Sequence, residues 1–167
     1  MKIFYARPSL GWLWLIGIAL FMLIVLIFPL FAGGSESPVW VVFMNLSMII
    51  FLVLPFLFLV TEIKKIRYEI HEDHLYIHMG RFLKYRILFG EIKKVSKKNL
   101  QITLWSSFRF PGLALFKVPY ADVGTVKMCA TAAAKDILII ETEKEKFGIT
   151  PMDESAFMNA LMKKITP

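Results

Sequence analysis

Two long apolar runs open the chain, and an alternating pattern of apolar and polar residues follows them. Twenty-eight uncharged residues lie between Arg7 and Glu36, and 25 more lie between Glu36 and Glu62. Within them, Leu10–Leu30 and Val39–Val60 are almost wholly apolar. A helix of about 21 residues is roughly 31 Å long, which matches the hydrocarbon core of one bilayer. The pattern therefore predicts two transmembrane helices.

The residues around these runs favour a retained hairpin of two spans. Trp12 and Trp40 lie near the start of each run, where aromatic side chains favour the headgroup zone. Phe31–Pro38 is rich in Gly and Ser, which predicts a tight loop. The alternative for the first run is a cleaved signal peptide. Its apolar stretch is longer than the usual 7–15 residues of such signals, which favours a membrane span.

Positive charge flanks the spans on one side only. Basic residues precede the first span and follow the second, namely Lys2 and Arg7, then Lys64, Lys65 and Arg67, whereas the loop between the spans has none. Because basic flanks stay on the cytoplasmic side, both termini are predicted to be cytoplasmic. Residues 1–62 then form a hairpin in the cytoplasmic membrane, and residues 63–167 form a cytoplasmic domain. No ionisable group lies within either span, which favours an anchor over a transport path.

The remainder of the chain has the period-two alternation of β-strands. In His74–Met79, for example, Leu75, Ile77 and Met79 share one face. We predict seven short antiparallel strands at residues 68–70, 74–79, 83–89, 100–105, 125–131, 136–142 and 146–149. The segments 91–98 and 106–122 are predicted to be a basic connection and a long ordered loop.

The last segment changes to a helical period. Phe157, Leu161 and Ile165 recur every four residues, which makes an apolar stripe that packs on a sheet. We predict that Thr150 caps this helix and that Pro151 takes its first position.

Thirty of the 33 charged residues lie in residues 61–167. Residues 61–167 carry 18 Lys and Arg and 12 Asp and Glu, a net charge of +6. Two basic clusters are candidates for contact with anionic lipid: Lys64, Lys65 and Arg67, then Lys93, Lys94, Lys97 and Lys98. The alternative is an ordinary retention signal beside a solvated face. Nucleic acid is a poor partner for a tethered domain with interspersed acids.

The sequence contains no recognisable catalytic motif. His71, His74 and His78 lack the helical spacing of metalloprotease ligands, so we predict no metal site. Cys129 has no activating base nearby in sequence and, as the only cysteine, excludes a disulfide framework. We therefore predict a protein that is not an enzyme and needs no cofactor.

The cytoplasmic part resembles bacterial pleckstrin-homology (PH)-like domains, in the version tethered by two N-terminal membrane helices. Three stretches carry the resemblance. They run from Tyr68-Glu69-Ile70 through Leu75-Tyr76-Ile77 to Glu91-Ile92-Lys93-Lys94-Val95, from Arg109-Phe110-Pro111-Gly112 to Ala130-Thr131, and from Ile139-Ile140-Glu141-Thr142 to Phe157-Met158-Asn159-Ala160-Leu161.

The resemblance implies a membrane-anchored α+β protein, in which a seven-stranded bent sheet or barrel is capped by a C-terminal helix. It implies Phe157 in place of the Trp that eukaryotic members carry in that helix. Since PH-like folds serve many partners, two functions stay open. The first is a module that docks a protein partner or a second copy of itself at the membrane. The second is a sensor of anionic lipid in the bilayer, in envelope stress or immunity to a membrane-active peptide.

Overall fold

The computed structural model describes residues 1–32, 38–103 and 108–165. The chain divides into two compact units. One unit is Trp12–Thr61, and the other joins Met1–Gly11 to Glu62–Pro167. The N-terminal residues are therefore part of the sheet-rich domain, although both apolar runs separate them from it in sequence.

The apolar unit contains two helices, α1 (Gly11–Ala32) and α2 (Val39–Ile63). Both are long and apolar enough to cross a membrane, which indicates membrane association. Their polar side chains bond to their own helix: Asn45 Nδ2 donates to the Val41 carbonyl at 3.0 Å and Ser47 Oγ to the Phe43 carbonyl at 2.9 Å. Such bonds satisfy polar groups that lipid cannot. The predicted loop at 31–38 falls largely outside the described residues.

The domain combines strands with one C-terminal helix. The elements are β1 (Lys2–Tyr5), β2 (Ile66–Ile70), β3 (His74–Met79), β4 (Leu83–Leu88), a short 3₁₀ helix (Phe89–Glu91), β5 (Ile92–Lys98), β6 (Arg109–Phe110), β7 (Leu113–Tyr120), β8 (Gly124–Ala130), β9 (Ile137–Thr142), β10 (Lys146–Ile149) and α3 (Glu154–Ile165). Two apolar helices followed by a sheet-rich domain with a C-terminal helix confirm the predicted fold class.

The strands form two sheets rather than one closed barrel. The first has the order β1-β2-β3-β4, and the second has the order β5-β9-β10-β8-β7-β6. The prediction of wholly antiparallel pairing is wrong, because β10 runs parallel to β8, with Gly148 opposite Met128. The connection from β8 through β9 carries the chain back so that β10 starts at the same end as β8.

The alternation read from the sequence produces the core. In β3 the side chains of Leu75, Ile77 and Met79 are buried, as predicted. Phe157 and Leu161 of α3 are also buried, and the Phe157 ring packs edge-on against Tyr68. Burial of one such side chain contributes about 1.5–3 kcal/mol. The hydroxyl of Tyr68 donates to the Cys129 carbonyl at 2.9 Å and accepts from Thr150 N at 3.1 Å, so it links the two sheets.

Several predicted strand boundaries are wrong. The described part of the predicted strand 100–105 makes only an isolated bridge between Ile102 and Tyr120, and Ile102 is exposed. The predicted basic connection 91–98 instead contains β5, which ends at Lys98 and pairs with β9. The predicted loop 106–122 contains β6 and β7. Leu104 and Trp105 lie outside the described residues.

The predicted helix cap is also wrong. α3 begins at Glu154, and Asp153 Oδ1 accepts the hydrogen bond from Ala156 N at 2.9 Å. Asp153 is therefore the N-cap. Thr150 is buried, and its hydroxyl accepts from Thr131 N at 2.8 Å. Because Pro151 forms a bridge with Ala6, the residues before Asp153 extend the sheet instead of starting the helix.

Candidate functional site

The basic residues singled out in the sequence lie in separate places. Lys64 and Lys65 form the turn after α2, and Lys65 is ion-paired with Glu62. Arg67 lies on β2, with its Nε 3.0 Å from Glu69 Oε1. The four lysines of β5 are spread along a strand from Ile92, opposite Thr142, to Lys98, opposite Ile137. They do not form one continuous basic patch.

Carboxylates neutralise most of the β5 lysines. Lys93 lies 3.3 Å from Glu143, Lys97 lies 2.9 Å from Glu154, and Lys98 lies 3.3 Å from Glu141. The hydrogen bond to Glu154 raises the pKa of Lys97 above its ordinary value. Lys94 is exposed on the same strand. Less unpaired positive charge is therefore available here for a lipid headgroup than the sequence alone predicts.

A connected polar cluster covers the outer face of the four-stranded sheet. We call it the outer cluster, and it consists of Arg67, Glu69, His71, His74, Tyr76 and His78. The antiparallel register of β2 and β3 places Arg67 opposite His78 and Glu69 opposite Tyr76. Since side chains on one face interact across paired strands, this register brings the cluster together.

Glu69 is the centre of the outer cluster. Its carboxylate lies 3.0 Å from His78 Nε2, 3.3 Å from His71 Nε2 and 3.0 Å from Arg67 Nε. Burial alone would raise the pKa of Glu69, but the hydrogen bonds from His78 and His71 and the charge of Arg67 hold it below its ordinary value. Glu69 is therefore an ionised anchor that fixes three neighbouring side chains.

Aromatic contacts hold the other side of the outer cluster. The rings of His71 and His74 stack 4.7 Å apart, and both meet the Tyr76 ring edge-on, at 5.4 and 4.5 Å. Asp73 Oδ1 lies 2.5 Å from His74 Nδ1. Among the described residues, no group of three or more His, Cys, Asp or Glu side chains is placed to hold a metal ion. His78 is buried within this arrangement, and the pre-ordered surface presents Tyr76 and Arg67, residue types that are enriched at protein interfaces.

An open strand lies beside the outer cluster. In the described sheet, β4 pairs with β3 alone, and its exposed residues are Lys84, Arg86 and Leu88. Arg86 Nη2 lies 3.4 Å from Asp73 Oδ2, which joins β4 to the cluster. An edge strand presents free backbone donors and acceptors that can pair with another strand.

Cys129 lies where a reactive thiol is not expected. It is fully buried in β8, and burial raises its pKa to about 12. A thiol in that state is a poor nucleophile at neutral pH.

Sequence reasoning found the three histidines but not the surface they belong to. The signal that could have found it is the period-two spacing of Arg67 and Glu69, aligned with His74, Tyr76 and His78 across a short turn. Only the strand register shows which of these residues meet.

Comparison with known proteins gives one match. A family model described as a bacterial PH domain matches residues 66–165, which is more than half of the chain. This confirms the resemblance seen in the sequence. No curated protein and no solved structure matches the chain.

Proposed function

This chain belongs to the bacterial PH domain family, and we propose that it is a membrane-tethered, non-catalytic interaction module. Its domain docks a protein partner, or a second copy of the chain, at the inner face of the cytoplasmic membrane. The family and the two apolar helices support a membrane-associated interaction module. The side of the membrane, the partner and the docking surface are parts of the proposal.

The pairing of β1 with β2 supports the predicted orientation. β1 precedes α1 and β2 follows α2, yet Tyr5 pairs with Arg67 and Lys2 pairs with Ile70. Two spanning helices between paired strands require both flanks on one side of the bilayer. The basic flanks and the loop without Lys or Arg support the cytoplasm as that side.

The outer cluster beside the free edge of β4 is the observation that carries the docking proposal. Side chains that already hold one another in place lose little conformational freedom on binding. The edge supplies backbone hydrogen bonds, and the cluster supplies Tyr and Arg contacts. The carboxylate partners of Lys93, Lys97 and Lys98 lead us to place the anionic-lipid sensor second.

Site-specific photo-crosslinking in cells tests the docking surface. A photoreactive phenylalanine analogue replaces Lys84 on β4 in the full chain, at native expression. The matched control carries it at Lys163, which is exposed on α3. We expect a protein adduct at position 84 and a much weaker one at 163. The mass of the adduct distinguishes a second copy from another protein.

The result that would overturn the proposal is equally direct. If position 84 gives no adduct, or no more than position 163, β4 is not a docking edge. As a second measurement, the Arg86→Glu variant should lose most of an adduct formed at position 84, because it reverses a charge on the same edge. An adduct that is unchanged in that variant would also count against this surface.

A further inference from the structure

Two places in the domain receive the chain from the apolar helices. Gly11 is the first residue of α1, and Glu62 lies in the last turn of α2. Both belong to the same compact unit as the sheets. The surface of the domain between these two residues therefore adjoins the points where the chain leaves for the membrane.

Gly11 packs directly on the turn between β6 and β7. Ser9 Oγ donates to the Gly112 carbonyl and accepts from Gly11 N at 2.9 Å. A Cβ at Gly11 would lie 2.3 Å from the Gly112 oxygen, so any larger residue would push these segments apart. The start of α1 is thus fixed beside Gly112.

Glu62 is fixed in the same way to the turn between β3 and β4. Its Oε2 accepts from Arg81 N at 3.1 Å. Gly80 has a φ of +51°, and a Cβ there would collide with the Glu62 carboxylate. The end of α2 is thus fixed beside Gly80 and Arg81.

A row of four phenylalanine rings connects these two turns. We call it the aromatic row: Phe82, Phe116, Phe108 and Phe110. Successive rings meet edge-on, at 5.8 Å for Phe82 and Phe116, 5.6 Å for Phe116 and Phe108, and 5.4 Å for Phe108 and Phe110. Phe82 follows Arg81, and Phe110 lies two residues before Gly112. The row therefore runs from the turn that contacts Glu62 to the turn that contacts Gly11.

Phe82 is the exposed ring of the aromatic row, Phe108, Phe110 and Phe116 are half-buried, and the backbone is strained at Phe116. Phe82 is 53% exposed, and Leu10, next to Gly11, is 70% exposed. Phe116, inside β7, has a φ of +65°, a region that bulky residues rarely adopt. This conformation places its ring between those of Phe82 and Phe108. Strained backbone held by its surroundings is typical of functional surfaces.

We propose that the aromatic row is a bilayer-contact surface that rests in the headgroup zone of the same leaflet from which the two helices enter. Aromatic side chains favour this zone, and the exposed Arg81 beside Phe82 is placed to meet a lipid phosphate. The inference rests on the proposed membrane tether.

Nitroxide labels on the full chain in nanodiscs of mixed zwitterionic and anionic lipid test the contact. The probe is Arg81→Cys, which leaves the four rings intact; Cys129 is buried and should not label. Collisions with oxygen report lipid, and collisions with a water-soluble nickel chelate report solvent. Glu72→Cys, exposed in the β2–β3 turn, is the solvent control, and Ser47→Cys in α2 is the lipid control.

We expect the label at position 81 to have a higher ratio of oxygen to nickel collisions than the label at position 72. Adding Phe82→Ala should shift that ratio back towards solvent. Equal ratios at positions 81 and 72 would overturn the contact, provided that position 47 reads as lipid. If position 47 also reads as solvent, the tether itself fails, and the contact fails with it. Protection of position 81 in cell membranes but not in nanodiscs would assign the row to a protein partner and overturn the lipid contact.

Discussion

The four-stranded and six-stranded sheets use their two faces differently. In β3 of the first sheet, buried apolar side chains alternate with the polar residues of the outer cluster. In β9 of the second sheet, Ile137, Leu138, Ile139 and Ile140 are all buried. A strand that is buried on both faces contributes stability but leaves no surface for a partner. A strand with one polar face contributes stability through its buried face and leaves the other face for a partner. In the first sheet, we therefore expect different residues to determine binding and stability.

The largest expected effect comes from the ring of Phe157, which packs on β1 and β2 of the four-stranded sheet. Phe157→Ala should lower the free energy of unfolding by about 3–5 kcal/mol, because Phe157 is fully buried and contacts Phe4 and Tyr68. Chemical unfolding of the full chain in micelles measures this. Met162→Ala, on the exposed face of the same helix, should change it by less than about 0.5 kcal/mol. Equal effects would mean that the packing of Phe157 on the four-stranded sheet does not stabilise the domain.

The next effect concerns the hydrogen bonds between the sheets. Tyr68→Phe should lower the free energy of unfolding by roughly 1–3 kcal/mol, because it leaves the Cys129 carbonyl and Thr150 N without their buried partner. Tyr5→Phe, at a tyrosine that is 61% exposed, is the control in the same unfolding experiment. A Tyr68→Phe variant as stable as the control would show that the hydroxyl does not couple the sheets.

A smaller effect tests the corrected start of α3. Asp153→Ala should lower the free energy of unfolding by about 1 kcal/mol, whereas Asp153→Asn should keep most of it, because an amide oxygen still accepts from Ala156 N. Differential scanning calorimetry of the two variants measures the difference in stability. Similar losses in both variants would rule out capping as the reason.

The smallest effect is confined to acid solution and to the outer cluster. Because the pKa of Glu69 is lower in the fold than its ordinary value of 4.5, its contribution is present above pH 4.5 and is lost as the pH falls below it. The unfolding temperature of the wild type should therefore fall more steeply below pH 4.5 than that of Glu69→Gln. Glu72→Gln, in the exposed turn, should follow the wild type. Parallel curves for the wild type and Glu69→Gln would mean that the cluster does not stabilise the sheet.

Sequence reasoning succeeded where one face of an element is apolar. The alternation of β3 and the run in β9 predict the buried residues correctly, and so do Phe157 and Leu161 in the stripe of α3, whereas Ile165 is only half-buried. It failed at β5, because four lysines hide the pairing of Val95 with Ile140. It failed at β7, because Pro111 and Pro119 favour a loop in any local interpretation.

The outer cluster and the aromatic row could not be predicted because their members are distant in sequence. Phe82 and Phe116 meet only when the β3–β4 turn and β7 come together. Likewise, the sequence pattern indicates only that Lys2–Tyr5 flanks the first apolar run, and its pairing with β2 is what identifies it as a strand.

That pairing has a consequence for the order of events during synthesis. Residues 2–5 leave the ribosome before both apolar helices, but their partner strand appears only after both helices have been made. Closing a free loop of roughly 60 residues costs on the order of 3–4 kcal/mol in chain entropy. In the proposed topology, insertion of the two helices returns the chain to the side of the membrane where residues 2–5 lie. This lowers the entropy cost of pairing β1 with β2. The first sheet of the domain would then be completed only after both membrane helices have been made and inserted.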